Sequence, residues 1–460
     1  MYVVRPAQRG GGSVGEGVLS GPAGRVPPAK AGGGTVISRE LLFADAGLER
    51  RGKSLYLGSV SLGEIAREVG TPVYAYHADA IRDRYRALDS AMASLPHRIC
   101  FAVKANTNLA VILLLRELGP GADIVSLGEM ARALAAGFEP ASIVFSGVGK
   151  TAEELTAAAK APVGHLNVES REELELLGRI AAKERLPVKV GFRVNPDVTT
   201  DTHPYISTGK SGIKFGLPTD QVLPAAEYVL LHPQLELTTI AMHLGSQLVE
   251  TEPYLEGIDR LSGLVEQLRR AGVSTLKVID IGGGLGIRYA EERSVDPGEF
   301  ARSIIPRLAK TDLTVYLEPG RFLVGSAGVL LTRVLYKKHS GGKEFVVVDA
   351  GMNDLVRPSH YQAYHEIVEL EERGRPPTRA DVVGPVCETG DFLALDRRLP
   401  GLQPGDGLAI LGAGAYGFVM ASNYNSRPRP AEVIVDGGRW WTSRPREQIE
   451  DLFRSERSSP

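Results

Sequence analysis

Five short stretches of this 460-residue chain carry residue types that do chemistry on small molecules. Lys104 closes the apolar run Phe101-Ala-Val-Lys104. A lysine there is costly unless solvated, paired or covalently engaged, and a desolvated lysine amine is a Schiff-base nucleophile. The plainer reading is a lysine snorkelling from the rim of its element. His243, in His243-Leu-Gly-Ser-Gln247, ends a second run and brings Ser246 with it. It has no histidine or cysteine at ligand spacing, so no metal site is expected. It is a packed histidine or an imidazole laid on a flat ring. Gly282–Gly284 follows a third run and lets backbone N–H groups approach an anion, although three glycines also make ordinary tight turns. Glu318-Pro-Gly-Arg321 follows a fourth run with a carboxylate, an unhindered backbone at Gly320 and a guanidinium. Cys387-Glu388 lies in a Gly/Pro-rich, acidic stretch that reads as a loop.

Two nucleotide motifs fail. Reading from Gly282, a dinucleotide fingerprint needs glycine where Ile287 stands, and the P-loop-like end Gly147-Val-Gly-Lys-Thr151 needs glycine where Val144 stands.

The elements that must position these groups have a clear rhythm. Nine short apolar, β-branched runs alternate with helical patterns: Val73–Tyr76, Ile99–Lys104, Ala122–Ser126, Ile143–Gly147, His165–Ser170, Val188–Val194, Thr239–Leu244, Leu276–Ile281 and Thr314–Leu317. Glu172–Arg185 has Leu174, Leu177, Ile180 and Ala181 at helical spacing. Alternation of this kind predicts βα units and a parallel sheet, and the number of units fits a TIM-type (β/α)8 barrel, whose chemistry collects at strand C-terminal ends. One of the nine runs must then lie outside the barrel. Beyond residue 325 the pattern turns strand-like, with Glu344–Val348, Arg379–Val383, Gly407–Leu411 and Ala431–Val435, and predicts a β-rich second domain. The expected organisation is α/β: a Gly/Pro-rich disordered lead over 1–34, a segment over 35–70 whose Leu55–Leu57 packs with the β domain, the barrel over 71–325, the β domain over 326–442, and a polar tail over 443–460.

Composition narrows the function classes. Lys+Arg 53 against Asp+Glu 55 leaves no basic footprint for nucleic acid. The longest apolar run, Leu109–Leu115, is far shorter than the roughly 20 residues of a membrane span. Two cysteines, Cys100 and Cys387, form no disulfide framework and fit a reducing, cytoplasmic setting. The 53 glycines imply either loose segments or close backbone approach. Residues 1–34, which hold ten of them, supply the first.

Taken in order, Phe101-Ala-Val-Lys-Ala-Asn106, His243-Leu-Gly-Ser-Gln247, Gly282–Gly284, Glu318-Pro-Gly-Arg321 and Cys387-Glu388 resemble the pyridoxal-phosphate decarboxylases of the alanine racemase fold type. Thr202-His-Pro-Tyr-Ile-Ser-Thr-Gly209, with Lys214-Phe-Gly216, and Ser422-Asn-Tyr-Asn-Ser-Arg-Pro-Arg-Pro430 resemble the diaminopimelate branch of that family. The resemblance spans about 36–445. It implies that Lys104 carries pyridoxal phosphate, that His243 stacks on its ring, and that Ser246, Gly283, Gly284 and the Gly320–Arg321 backbone hold its phosphate. It also implies that Glu318 faces the pyridine nitrogen and that Arg321, Arg357, Tyr361, Glu388 and Tyr416 bind substrate, with Tyr416 also near the cofactor. Cys387 and Glu388 are implied to reach the neighbouring subunit's site, which makes the assembly a homodimer. Cys387 is then the acid that reprotonates Cα.

The implied reaction is decarboxylation of meso-2,6-diaminopimelate to L-lysine and CO2. A carboxylate at the pyridine nitrogen keeps the ring a strong electron sink, which favours decarboxylation over racemisation. The nearest alternative is an ornithine, arginine or carboxy-polyamine decarboxylase of the same fold. A catalytically dead homologue would be expected to lack Lys104 or Cys387. A generic Schiff-base aldolase leaves Glu318 and the glycines unexplained.

Overall fold

The structure, a computed structural model, describes residues 39–199 and 212–457. The lead over 1–34 and the loop Thr202–Gly209 fall outside the described residues. The chain opens on a three-stranded antiparallel sheet: β1 (Leu48–Arg51), β2 (Ser54–Leu57) and β3 (Val60–Ser61). As expected for Leu55–Leu57, this sheet leans on the second domain: Leu55 N donates to Leu370 O at 2.9 Å, and Ser54 bridges Glu371.

Eight of the nine predicted runs form a closed parallel barrel. Its strands are β5 (His97–Ala102), β6 (Gly121–Ile124), β7 (Ile143–Phe145), β8 (His165–Val168), β9 (Val188–Arg193), β10 (Leu235–Ala241), β11 (Val278–Asp280) and β12 (Thr314–Leu317), closed by Val315–Leu317 pairing with His97–Ile99. Helices cover the outside, and their starts are written in the sequence. Ser126 caps Leu127–Ala135, Thr151 and Glu154 make a reciprocal capping box at Ala152–Lys160, and Ser170 caps Arg171–Glu184. That last helix buries Leu174, Leu177, Ile180 and Ala181, the residues whose spacing predicted it.

The ninth run, Val73–Tyr76, is the one outside the barrel. As β4 (Val73–His77) it lies at the centre of the second sheet, between β13 (Gly328–Ser340, antiparallel) and β19 (Ala431–Asp436, parallel). The sheet continues through β14 (Lys343–Val348), β15 (Ile367–Glu369), β16 (Pro377–Val383), β17 (Phe392–Pro400), β18 (Gly407–Ile410) and β20 (Arg439–Arg444). The expected barrel boundary at residue 71 is therefore corrected: the barrel strands begin at His97, and β4 belongs to the β domain. All five β4 residues are buried, and a fully apolar run reads the same in a barrel as in the middle of a mixed sheet. The expected polar tail is also tied in, since β20 runs to Arg444 and Glu447 pairs with Arg429.

Candidate active site

The C-terminal ends of β5, β6, β11 and β12 converge on one cluster of charge. Lys104 sits in a 3₁₀ turn, Val103–Ala105, directly after β5, and its Nζ donates to Asp123 Oδ2 on β6 at 2.9 Å. Burial opposes the ammonium, but Asp123, aided by Tyr416 and Glu318, outweighs it and raises the lysine above its ordinary pKa. Of the two readings open from sequence, a rim lysine and an amine activated by desolvation, the second assumed an unpaired amine; here the buried Asp123 holds it charged.

Asp280 ends β11 and accepts from Gly282 N at 2.8 Å. Glu318 follows β12, and its own N–H donates to Gly282 O at 2.8 Å. Burial pushes the Glu318 carboxyl well above its usual range, and Asp123 and Asp280 push it further. Asp123 Oδ1 is buried without a hydrogen-bond partner among the described residues, and the buried Glu318 and Asp280 carboxyls have only each other on that side. Three buried carboxyls around one ammonium leave room for another cation, because a buried charge is tolerated only when paired.

A cavity of about 500 Å³ opens at this point, lined by Lys104, Asn167, Arg193, His243 and Glu318 among others. Burial, Arg193 and Lys104 push the His243 imidazole well below its ordinary pKa, so it is neutral, and its Nδ1 accepts from Gly283 N at 3.2 Å. The glycines between these strand ends are required. A Cβ on Gly283 would lie 2.1 Å from Glu318 O, and Gly284 adopts φ +100° with Gly245 O only 2.5 Å from where its Cβ would be. These features fit a ring with a cationic nitrogen and an anionic tail. Glu318 would meet the nitrogen, neutral His243 the ring face, and the Gly283–Gly284 backbone with Ser246 and Gly320 the phosphate.

A second cluster joins the barrel to the β domain. Arg321 opens a short helix after Gly320, and its Nη2 donates to Ser246 Oγ at 3.0 Å. Its guanidinium lies 4.9 Å from the ring centroid of Tyr416, which comes from the β domain with φ +56° and donates its N–H to Ala105 O. Arg357 and Tyr361 stand at either end of the helix Arg357–Tyr361, with Arg357 buried. Tyr416 thus adjoins both Lys104 and Arg321.

Cys387 and Glu388 are not gathered with the rest. Both are exposed and neither lines the Lys104 cavity. Cys387 Sγ donates to Asn425 Oδ1 at 3.1 Å, which connects it to the Ser422–Pro430 stretch.

Several participants were not singled out by the sequence reading. Asp123 and Asp280 carry a faint signal, a lone acid at the end of an apolar run. Glu169 on the loop after β8 accepts from Gly147 N, from Arg193 Nη1 at 2.8 Å and from Gly216 N, tying three loops at the cavity rim. Lys150, from the failed P-loop match, is a clasp: its Nζ donates to Gly147 O and Asn167 O and pairs with Glu173. Tyr289 and His365, which adjoin the two arginines, gave no signal at all.

Comparison with known proteins agrees with this geometry. Residues 78–325 match the model of the pyridoxal-dependent decarboxylase pyridoxal-binding domain. The chain is 49% identical to a diaminopimelate decarboxylase of Pseudomonas aeruginosa over 410 residues, 89% of this chain and 98% of the relative. It is 47% identical to one from Aquifex aeolicus, over 85% of this chain and 93% of that protein. The crystal structure of the Helicobacter pylori diaminopimelate decarboxylase complexed with L-lysine superposes with a TM-score of 0.83 at 41% identity, covering 86% of this chain and 98% of that one.

Proposed function

The chain belongs to the pyridoxal-dependent diaminopimelate decarboxylases, and from that premise we propose that it converts meso-2,6-diaminopimelate to L-lysine and CO2. The observation that carries this reading is the convergence of Lys104, His243 and Glu318 on one cavity, with the Gly282–Gly284 turn hydrogen-bonded to His243 and Glu318 beside it. Pyridoxal phosphate, when bound, supplies the electron sink for the pair left at Cα as CO2 departs. Lys104 is its covalent anchor, with Asp123 holding the amine in place. Glu318 would hold the pyridine nitrogen, whose positive charge would offset the buried acids. Neutral His243 would pack on the ring, and Ser246, Gly283, Gly284 and the Gly320–Arg321 backbone would hold the phosphate. Arg321 and Arg357 supply forked donors for a carboxylate, and Tyr361 and Tyr416 complete that wall.

The remaining work falls to a second copy. Cys387 and Glu388 are exposed on their own chain, and a homodimer would bring them over the neighbour's cavity. There Cys387 gives its proton to Cα and Glu388 takes the substrate's distal ammonium. Neither cysteine is bridged, and no helix of the described residues is long and apolar enough to cross a membrane; the free thiols are in keeping with the cytoplasmic setting proposed for the protein.

The test is an absorbance spectrum of the purified protein before and after meso-diaminopimelate, with lysine assayed. A bound-cofactor band that shifts on mixing, with lysine formed, is the expected result. A cofactor-bearing protein that forms no lysine would rule the reading out.

A further inference from the structure

Arg321 and Arg357 are 8% and 6% exposed, yet among the described residues neither has a carboxylate within ion-pair distance; the titratable side chains nearest them are tyrosines, His365 and each other. Buried guanidiniums without a counter-charge are costly, so the structure must hold them by other means. Tyr289 and His365 do so. Arg321 Nη1 donates to the Tyr289 hydroxyl at 2.6 Å, while its buried Nε has no hydrogen-bond partner among the described residues. The Arg357 guanidinium lies 4.7 Å from the Tyr289 ring centroid, and its Nη1 donates to His365 Nε2 at 2.9 Å. His365 Nδ1 in turn donates to Leu411 O at 2.7 Å, which fixes the tautomer that leaves Nε2 an acceptor. The His365 ring meets the Tyr289 ring edge-on at 5.4 Å.

The frame is rigid. Tyr289 is 7% exposed, and its N–H donates to Glu292 Oε1 at 2.8 Å. On the ring's other flank, Gly412 has φ +67° and leaves no room for a side chain, since a Cβ there would be 3.1 Å from two ring carbons. Neither acceptor is a carboxylate, although burial is outweighed by the two arginines, which together lower the Tyr289 hydroxyl below its ordinary pKa. The two acceptors satisfy one donor of each arginine and orient the forks without cancelling their charge. An aspartate or glutamate in either place would cancel one of the two charges.

We propose that Tyr289 and His365 are positioning residues that hold Arg321 and Arg357 without a carboxylate counter-charge from the described residues, and thereby select a substrate with a second, distal carboxylate. This rests on the reading above that the two arginines meet the substrate's carboxylate.

The test uses the holoenzyme and its Tyr289→Phe variant, which keeps the ring and removes the acceptor. Two quantities are measured: kcat and KM for meso-diaminopimelate, and the calorimetric Kd of pimelate, a seven-carbon diacid without amino groups. Loss of one hydrogen bond to a charged group is expected to raise both KM and Kd about tenfold, with kcat within about twofold. His365→Leu, the second variant, is expected to raise the same two constants. Unchanged pimelate affinity in folded variants, or a fall confined to kcat, overturns the proposal. Failure of the wild-type protein to decarboxylate diaminopimelate overturns instead the reading on which it rests.

Discussion

On the wall formed by β6, β11 and β12, three buried carboxyls crowd a single lysine. Where the barrel meets the second sheet, two buried guanidiniums stand without any carboxylate among the described residues. Tyr416 separates the two. The acidic cluster sheds part of its charge by protonation: burial first, with the neighbouring acids, pushes Glu318 well above the ordinary carboxyl range, while Asp280 is raised only to about 6. Arginines have no such escape at physiological pH, so the basic cluster relies on acceptors other than carboxylates placed at fixed positions. One wall is built to accept a cation and the other to accept an anion. A bound ring with a cationic nitrogen beside a substrate bearing a carboxylate satisfies both at once.

The comparison can be broken at either wall. The largest effect is expected from Lys104→Ala, which should abolish turnover and remove the visible band of lysine-bound cofactor; a variant that kept both would remove Lys104 from the mechanism. Cys387→Ala is expected to lower kcat about 10²–10⁴-fold with the cofactor band intact. In a mixture with Lys104→Ala, a shared-site dimer restores part of the activity by pairing one intact Lys104 with one intact Cys387, and no recovery would argue against sites shared between subunits. Arg357→Lys keeps the charge but loses the fork, and KM for diaminopimelate should rise about 10–100-fold. The smallest effect belongs to the acidic wall. Burial raises the Asp280 pKa, so its ionisation destabilises the folded state. Ordinary carboxyls titrate near 3.9, so this cost is absent below about that pH and grows as pH rises. Asp280→Asn should therefore raise the Tm of cofactor-free protein by about 1–3 °C at pH 8, with the gain vanishing toward pH 4. An equal gain at both pH values would show that charge is not the cause.

How far these walls could be read from sequence follows from what each residue type reveals. Lys104, Glu318 and the glycines stood out because a charge or a glycine run at the end of an apolar strand has few ordinary uses. Asp123 gave less signal, since one acid in Ala122–Ser126 reads equally well as a surface turn. Tyr289 gave none: its role depends on two arginines 32 and 68 positions away, and only the fold brings them together. The eight barrel strands were legible from alternation, and Val73–Tyr76 could not be singled out as the run outside the barrel because its burial on both faces is the same in either sheet. The longest strand, β13, escaped notice because it begins buried at Gly328 and ends exposed and polar over Lys338–Ser340, so no single pattern covers it.

The most direct test of the central claim, that the basic wall selects a distal carboxylate, is the ratio of kcat/KM for meso-diaminopimelate over ornithine in the wild-type holoenzyme. A site whose buried donors are left unpaired by the shorter, monocarboxylate substrate should favour diaminopimelate by about 10³-fold or more. Comparable values for the two substrates would contradict the account.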